Sequence, residues 1–224
     1  GEQRQLAKAH GRQGVGPQGE RPAVGDRKHG FGRAGDGRQV AVADALGWLL
    51  GDEGSGFWIG RRVVRAALAD LDGRGPATVL TPLLLERLGI PGQTDSGDRG
   101  PITGLVRALY ADPPVRVADY AGLAFEAVGD VVAARILDAA GAALARTLSA
   151  VRSPTVSGPV VLGGGVLGRG GRVADRLAAA CGPEEVRAVA DGAVGVCVLA
   201  VRHAGTLVDA DVFGQLTTSL AAVR

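Results

Sequence analysis

Two hydrophobic periods divide this chain. Arg33-Ala-Gly-Asp-Gly-Arg38 places an Asp36-Gly37 turn signal before Gln39-Val-Ala-Val-Ala43, which alternates apolar and small or polar residues, so a hairpin is predicted with its second strand ending near Asp44. A period near 3.6 then takes over. Beyond the glycine-punctuated loop Gly47-Trp-Leu-Leu-Gly-Asp-Glu-Gly-Ser-Gly56, the stripe Ile59, Val63, Val64, Ala67, Leu68 and Leu71 predicts a helix over 57–71, stopped by Asp72-Gly73. Further helices are predicted at 78–88, 101–110, 115–127 and 130–151, the last alanine-rich and of high helix propensity. From Pro159 the rhythm changes again: strand at 159–162, turn at 163–168, helix at 172–180, strand at 186–190 and helix at 192–202 form a βαβα unit.

The first 30 residues obey neither period. They are rich in Gly, Gln and Arg and contain no Ile, Phe, Tyr or Trp, so they lack the apolar area that would offset ordering entropy and are expected to be disordered. Charge draws the same boundary. Residues 1–40 carry 8 basic and 4 acidic side chains, including both lysines, Lys8 and Lys28; residues 41–224 carry 17 basic and 19 acidic ones, and every basic residue there is arginine. A main body of net −2 is not a nucleic-acid binder by charge. No uncharged apolar run approaches the roughly 20 residues of a membrane span, and the first residues lack the basic-then-apolar order of a signal peptide, so the expected compartment is the cytoplasm. Cys181 and Cys197 form neither a disulfide framework nor a metal ligand set and read as small buried residues.

Two stretches carry chemistry. Gly163-Gly-Gly-Val-Leu-Gly168 fits G-x-G-x-x-G between a strand and a helix, with Asp191 after the next strand. A bare glycine turn admits a dinucleotide or an adenosine close to the backbone, and it also serves as a plain tight turn. In Gly51-Asp-Glu-Gly-Ser-Gly56, Ser55 is placed to cap the following helix, with Asp52 and Glu53 near its positive end. A cap requires neither three glycines nor the flanking Trp48, Phe57 and Trp58. Carboxylates beside aromatic rings on a close-packed backbone suit a sugar, whose hydroxyls need acceptors and whose ring needs a flat apolar face.

Taken together, these residues resemble the N-acetylglucosamine kinase branch of the BadF/BadG/BcrA/BcrD ATPase-like family. Gly47 to Gly60 is similar to the family's Gly-Trp-Leu-Leu-Gly-Asp-Glu-Gly-Ser-Gly segment, with Ala45-Leu46 standing where Gly-Trp is usual. Leu105-Val-Arg-Ala-Leu-Tyr-Ala-Asp-Pro-Pro114 and the helix from Val131 resemble the family's middle, Pro159 to Gly168 its adenosine motif, and Asp191 to Ala200 the helix after it. The resemblance runs from about Phe31 to near His203. It implies an α/β protein of the actin-like ATPase (ribonuclease H-like) fold: residues 31–224 as the C-terminal part of the domain with a helical middle, and residues 1–30 as an unmatched segment. It also implies ATP-dependent phosphorylation of an amino sugar with ATP and Mg²⁺. Asp52 and Gly47 would contact the sugar, and Gly163, Gly164 and Gly165 the nucleotide. Sugar and ATP would be the partners, without nucleic acid or membrane, and a homodimer is left open.

Kinases of this family carry an Asp-Gly-Gly-Gly-Thr-type phosphate loop, a catalytic aspartate and a Gly-Thr-Gly-Ser-type second loop before the hairpin, and the sequence contains no counterpart of any of them. Residues 1–30 stand where the last should be. They read as a different translation frame or a mis-assigned start in a gene rich in G and C. No residue is therefore assigned as catalytic and none as a metal ligand. Two other functions remain: an activator ATPase of the same superfamily, which would need cluster-ligating cysteines, and a non-catalytic nucleotide- or dinucleotide-binding module.

Overall fold

The computed structural model describes residues 30–33, 39–92, 99–153, 156, 158–181, 186–189 and 192–222. The disorder expected of the first segment, the Asp36-Gly37 turn and Asp191 lie outside these residues. The alternating run forms the predicted hairpin: β1 (Gly30–Arg33) pairs antiparallel with β2 (Gln39–Ala43), Phe31 opposite Val42. The stretch read as pure loop then contains one helical turn, α1 (Gly47–Leu50), closed by the Gly51 amide donating to the Gly47 carbonyl at 2.8 Å. Its leucines face out, Leu49 and Leu50 being 73% and 77% exposed, so no core face marked it as helical in the sequence.

Helix α2 (Gly56–Leu71) buries Ile59, Val63, Val64 and Ala67 of the predicted stripe, leaving Leu68 and Leu71 half-buried. Helices α3 (Leu80–Arg87) and α4 (Gly100–Ala111) add Leu80, Leu84, Leu85 and Leu105 to one core. The segment predicted as a single helix over 115–127 is instead a 3₁₀ turn at Pro114–Tyr120 followed by α5 (Ala121–Glu126). The tighter winding brings the Val117 carbonyl against Gly60 of α2, where any Cβ would overlap it. That close approach is a tertiary demand that the local sequence does not announce.

Helix α6 (Val131–Val151) packs against α2, α5, α7 and both hairpin strands. After it, β3 (Val160–Gly163), α7 (Arg172–Cys181) and β4 (Val186–Val189) form a βαβ unit with parallel strands, Val160 opposite Val186. The chain ends in α8 (Ala193–His203) and α9 (Ala210–Ala222). The second was not predicted. Gly214 and the Thr217-Thr218-Ser219 run lower its propensity, and its only sequence signal was Asp209, whose carboxylate accepts from the Val212 amide at 2.9 Å. Cys181 is buried as expected, whereas Cys197 is half-buried. Among the described residues no helix is long and apolar enough to cross a membrane.

One carboxylate ties two helix starts together. Asp130 caps α6 by accepting from the Ala133 amide at 2.7 Å, and its other oxygen accepts from the Val79 amide at 2.8 Å and the Thr78 hydroxyl at 3.0 Å, at the entry to α3. Burial pushes this carboxyl up, but the donors from Ala133, Val79, Thr78 and Val132 outweigh it and hold the group below its ordinary value. A depressed carboxyl stabilises the fold above the unfolded pKa of about 3.9, and that contribution is lost as pH falls through the lower folded value. Asp130→Ala is expected to lower stability by about 1–2 kcal/mol near neutral pH. Below about pH 4 the gap to wild type should narrow. Urea unfolding followed by circular dichroism at a series of pH values checks both.

Candidate functional site

The loop between β2 and α2 is built from residues forced into unusual backbone. Asp44 and Asp52 are the two described non-glycine residues with positive φ, at 58° and 56°, and Gly47 and Gly54 share that region at 78° and 80°. A side chain there costs energy, and aspartate is among the residues that tolerate the region best, as at turns. Asp44 supplies part of the frame: its carboxylate accepts from the Glu53 amide at 2.6 Å, and a Cβ on Gly51 would run into its Oδ1. Asp44 was not singled out from the sequence, since an aspartate ending a strand reads as a turn residue. Ser55 caps α2 as expected, accepting from the Trp58 amide at 3.2 Å.

These constraints sink Asp52 into the fold. It is 6% exposed, and its Oδ1 is shut off from solvent. Glu53 points the other way, half exposed, and pairs with Arg146 of α6 at 2.9 Å. The two adjacent carboxylates are thus separated into a buried group and a surface ion pair. Gly54 fits because a Cβ on it would lie 2.7 Å from Leu144 Cγ and 2.8 Å from the Ala140 carbonyl. Gly47 has open space around it, so its glycine answers to φ and not to crowding. Of the aromatic residues, Trp48 is 39% exposed with its ring 5.1 Å from that of Phe57. Trp58 carries the Arg62 guanidinium over its ring, so one of its faces is already taken.

The second candidate stretch leaves the C-terminal end of β3. Gly163 and Gly165 are exposed and Gly164 is half-buried with φ 94°. The Gly168 amide donates to the Gly164 carbonyl at 2.8 Å, closing the turn. A Cβ on Gly163 would find only the Val189 carbonyl, 3.9 Å away, so the backbone is bare here and the turn sits where parallel α/β units receive ligands. The two stretches occupy separate loops braced by the same helix. Gly54 rests on Ala140 and Leu144, while α7, which the glycine turn feeds, rests on Gly141 and pairs Arg172 with Asp138 at 3.1 Å. These are neighbouring faces of α6.

The BadF/BadG/BcrA/BcrD ATPase family model matches residues 29–200. An N-acetylmuramic acid/N-acetylglucosamine kinase of Clostridium acetobutylicum is 33% identical over 121 residues, covering 54% of this chain and 38% of that protein. An N-acetyl-D-glucosamine kinase of Dictyostelium discoideum is 33% identical over 156 residues, covering 64% of this chain and 46% of that protein. A solved structure from Chromobacterium violaceum, assigned as an N-acetylglucosamine kinase, superposes with a TM-score of 0.49 at 27% identity, over 64% of this chain and 45% of that one. The chain spans less than half the length of these relatives. It belongs to the BadF/BadG/BcrA/BcrD ATPase family, and with it to the α/β, actin-like ATPase class that its sequence pointed to.

The loop geometry separates strong positions from weak ones. Gly54→Ala combines a strained φ with overlap on Leu144 and Ala140, and is expected to destabilise by about 2–3 kcal/mol. Glu53→Gln removes only an exposed ion pair and should cost under about 1 kcal/mol. Denaturant midpoints of the two variants give the comparison, and equal losses would contradict this account of the loop.

Proposed function

We propose that residues 31–224 form the C-terminal part of an ATP-dependent kinase of an amino sugar, with the sugar held at the Asp52 loop and the nucleotide at the glycine turn. The observation that carries this reading is Asp52: a buried carboxylate in left-handed backbone, fixed between Asp44, Ser55 and α6, inside the stretch matched by the family model. A carboxylate at this position would accept hydrogen bonds from sugar hydroxyls, and charge-assisted bonds of that kind contribute about 1.5–3 kcal/mol each. Gly47 keeps the backbone open beside it, and the partly exposed Trp48 offers an apolar face to the ring. The kinase names of the two relatives, each at 33% identity, support the substrate class.

Gly163, Gly164 and Gly165 would form the nucleotide wall: a Cβ on Gly163 would meet only the Val189 carbonyl at 3.9 Å, and the turn lies past the C-terminal end of β3, where parallel α/β units receive ligands. ATP, when bound, supplies the γ-phosphoryl group that ends on the sugar hydroxyl. Among the described residues no group of three His, Cys, Asp or Glu side chains is placed to hold a metal ion by itself; Mg²⁺ would reach this site with the nucleotide, bound largely through phosphate oxygens and water. The base that takes the hydroxyl proton is not assigned to Asp52, which binds, nor to Glu53, which is committed to Arg146.

Asp52→Asn keeps the shape and removes the charge. It is expected to weaken N-acetylglucosamine binding by about 10- to 100-fold while leaving ATP affinity unchanged, as measured by calorimetry on the 224-residue chain. Gly165→Val should do the reverse, placing three methyl-sized groups where the adenosine would lie. An unchanged sugar affinity in Asp52→Asn removes that residue from the site, and a turn that prefers NAD to ATP transfers Gly163–Gly165 to the dinucleotide reading. Assayed with ATP, Mg²⁺ and N-acetylglucosamine, the 224-residue chain should give no ADP release. The phosphate-cradling loops that supply most of the stabilisation in phosphoryl transfer have no counterpart in its sequence.

A further inference from the structure

We propose that the groove between α2 and α6 binds a phosphorylated small molecule at a site distinct from both the Asp52 loop and the glycine turn. A cavity of about 510 Å³ lies there, walled by Arg61, Arg62 and Arg65 of α2 and Arg135 of α6, with Val132 and Ile136 contributing apolar surface. Gly54, just before α2, meets Ala140 and Leu144, whereas the cavity lies further along α2 and nearer the start of α6. The two helices therefore run antiparallel, and at 1.5 Å per residue the arginines lie roughly 10–15 Å along α2 from Ser55.

The charge pattern is what marks this groove. Arg146 is matched with Glu53, Arg172 with Asp138, Arg87 with Glu126 and Arg116 with Asp119, whereas the groove gathers four arginines on one surface. Among the described residues no carboxylate pairs with Arg61, Arg62, Arg65 or Arg135, although residues 41–224 have more acidic than basic side chains. Arg61 and Arg65 form an unfavourable like-charge pair one helical turn apart. Burial first, then Arg61 and Arg65, lower the proton affinity of Arg62, and Glu53 opposes them. Arg62 is nonetheless held in place, stacked over the Trp58 ring and donating to the Trp58 carbonyl at 3.5 Å.

Four arginines lining one open groove, with Arg62 held against Trp58 beside it, favour a phosphate dianion, which accepts paired N–H bonds from guanidinium forks. The cavity suits one small ligand, whose carbon skeleton would lie on Val132 and Ile136. The phosphate can come from a sugar phosphate or from a nucleotide, and the two sources are distinguished by the arms of the test.

Calorimetric titration of the 224-residue chain would use N-acetylglucosamine 6-phosphate, ADP and inorganic pyrophosphate. At least one probe is expected to bind, with affinity falling as salt rises. Arg65→Glu and Arg135→Glu, exposed positions whose melting curves should match wild type, are each expected to weaken that probe by tenfold or more, whereas Arg116→Glu, outside the groove, leaves it unchanged. Arg135→Lys should lose part of the affinity because it keeps the charge and loses the fork. Failure of all three probes overturns the proposal, as does an equal loss in Arg116→Glu. Loss of pyrophosphate binding in Asp52→Asn or Gly165→Val places it at the sites already described and also overturns the proposal; for the sugar phosphate and ADP, which those sites would also take, only the arginine variants decide. Failure of N-acetylglucosamine to bind, with pyrophosphate still sensitive to Arg135, would instead sink the sugar reading and leave this one standing.

Discussion

The close approach of other backbone and side chains to α6 governs how everything else is placed. Gly141 has no side chain because a Cβ there would lie 2.6 Å from Arg176 Cβ and 3.2 Å from the Val173 carbonyl, which lets α7 seat on the helix. One face over, Ala140 and Leu144 occupy the space where Gly54 lacks a Cβ. Interiors packed at crystal-like density do not absorb an extra methyl without displacement. The glycines on either side of α6 thus set how far the sugar-type loop and the βαβ unit stand from a common axis. Asp130 fixes the start of that axis by joining its first turn to the entry of α3.

On this scaffold the Asp52 loop is rigid without regular structure. Its conformation is set by a carboxylate from Asp44, a hydroxyl from Ser55 and a steric fit at Gly54, three constraints within twelve residues around Asp52 in its left-handed backbone. Binding groups held by such a shell lose little freedom when a ligand arrives. The glycine turn after β3 is different in kind. Its usefulness lies in bare, exposed backbone, and its position depends on α7 being fixed against α6.

Sequence and structure agree wherever a signal is periodic and local. The stripe of α2, the alanine-rich α6, the β2 alternation and the strand–turn–helix run after Pro159 all formed within a few residues of their predicted bounds. The Ser55 cap was equally readable, because its chemistry acts three residues away. What escaped depends on distant partners or on exposed elements. The break at Pro114–Tyr120 answers to Gly60, more than fifty residues earlier, α1 has no buried face, and α9 has only a cap to announce it. In the site, Asp52 was legible from its glycine surroundings. Asp44 and Arg146 were not, since their partners are reached only after the chain folds back.

Helix α2 gives its two ends different electrostatic work. Its N-terminus, where backbone amides favour negative charge, is met by the Asp52-Glu53 loop, and its middle turns carry the groove arginines. Glu53 is close enough to raise the proton affinity of Arg62, so loop and groove feel each other. The size of that link can be bounded. A charge placed in the groove roughly 10 Å from the loop interacts with a charge there by about 0.4 kcal/mol in a water-like dielectric, before screening by salt with a Debye length of about 8 Å. Such a term changes affinity at the other site by at most about twofold. A larger mutual effect would have to pass through movement of α2 against α6, and the packing at Gly54 and Gly60 leaves that movement little room.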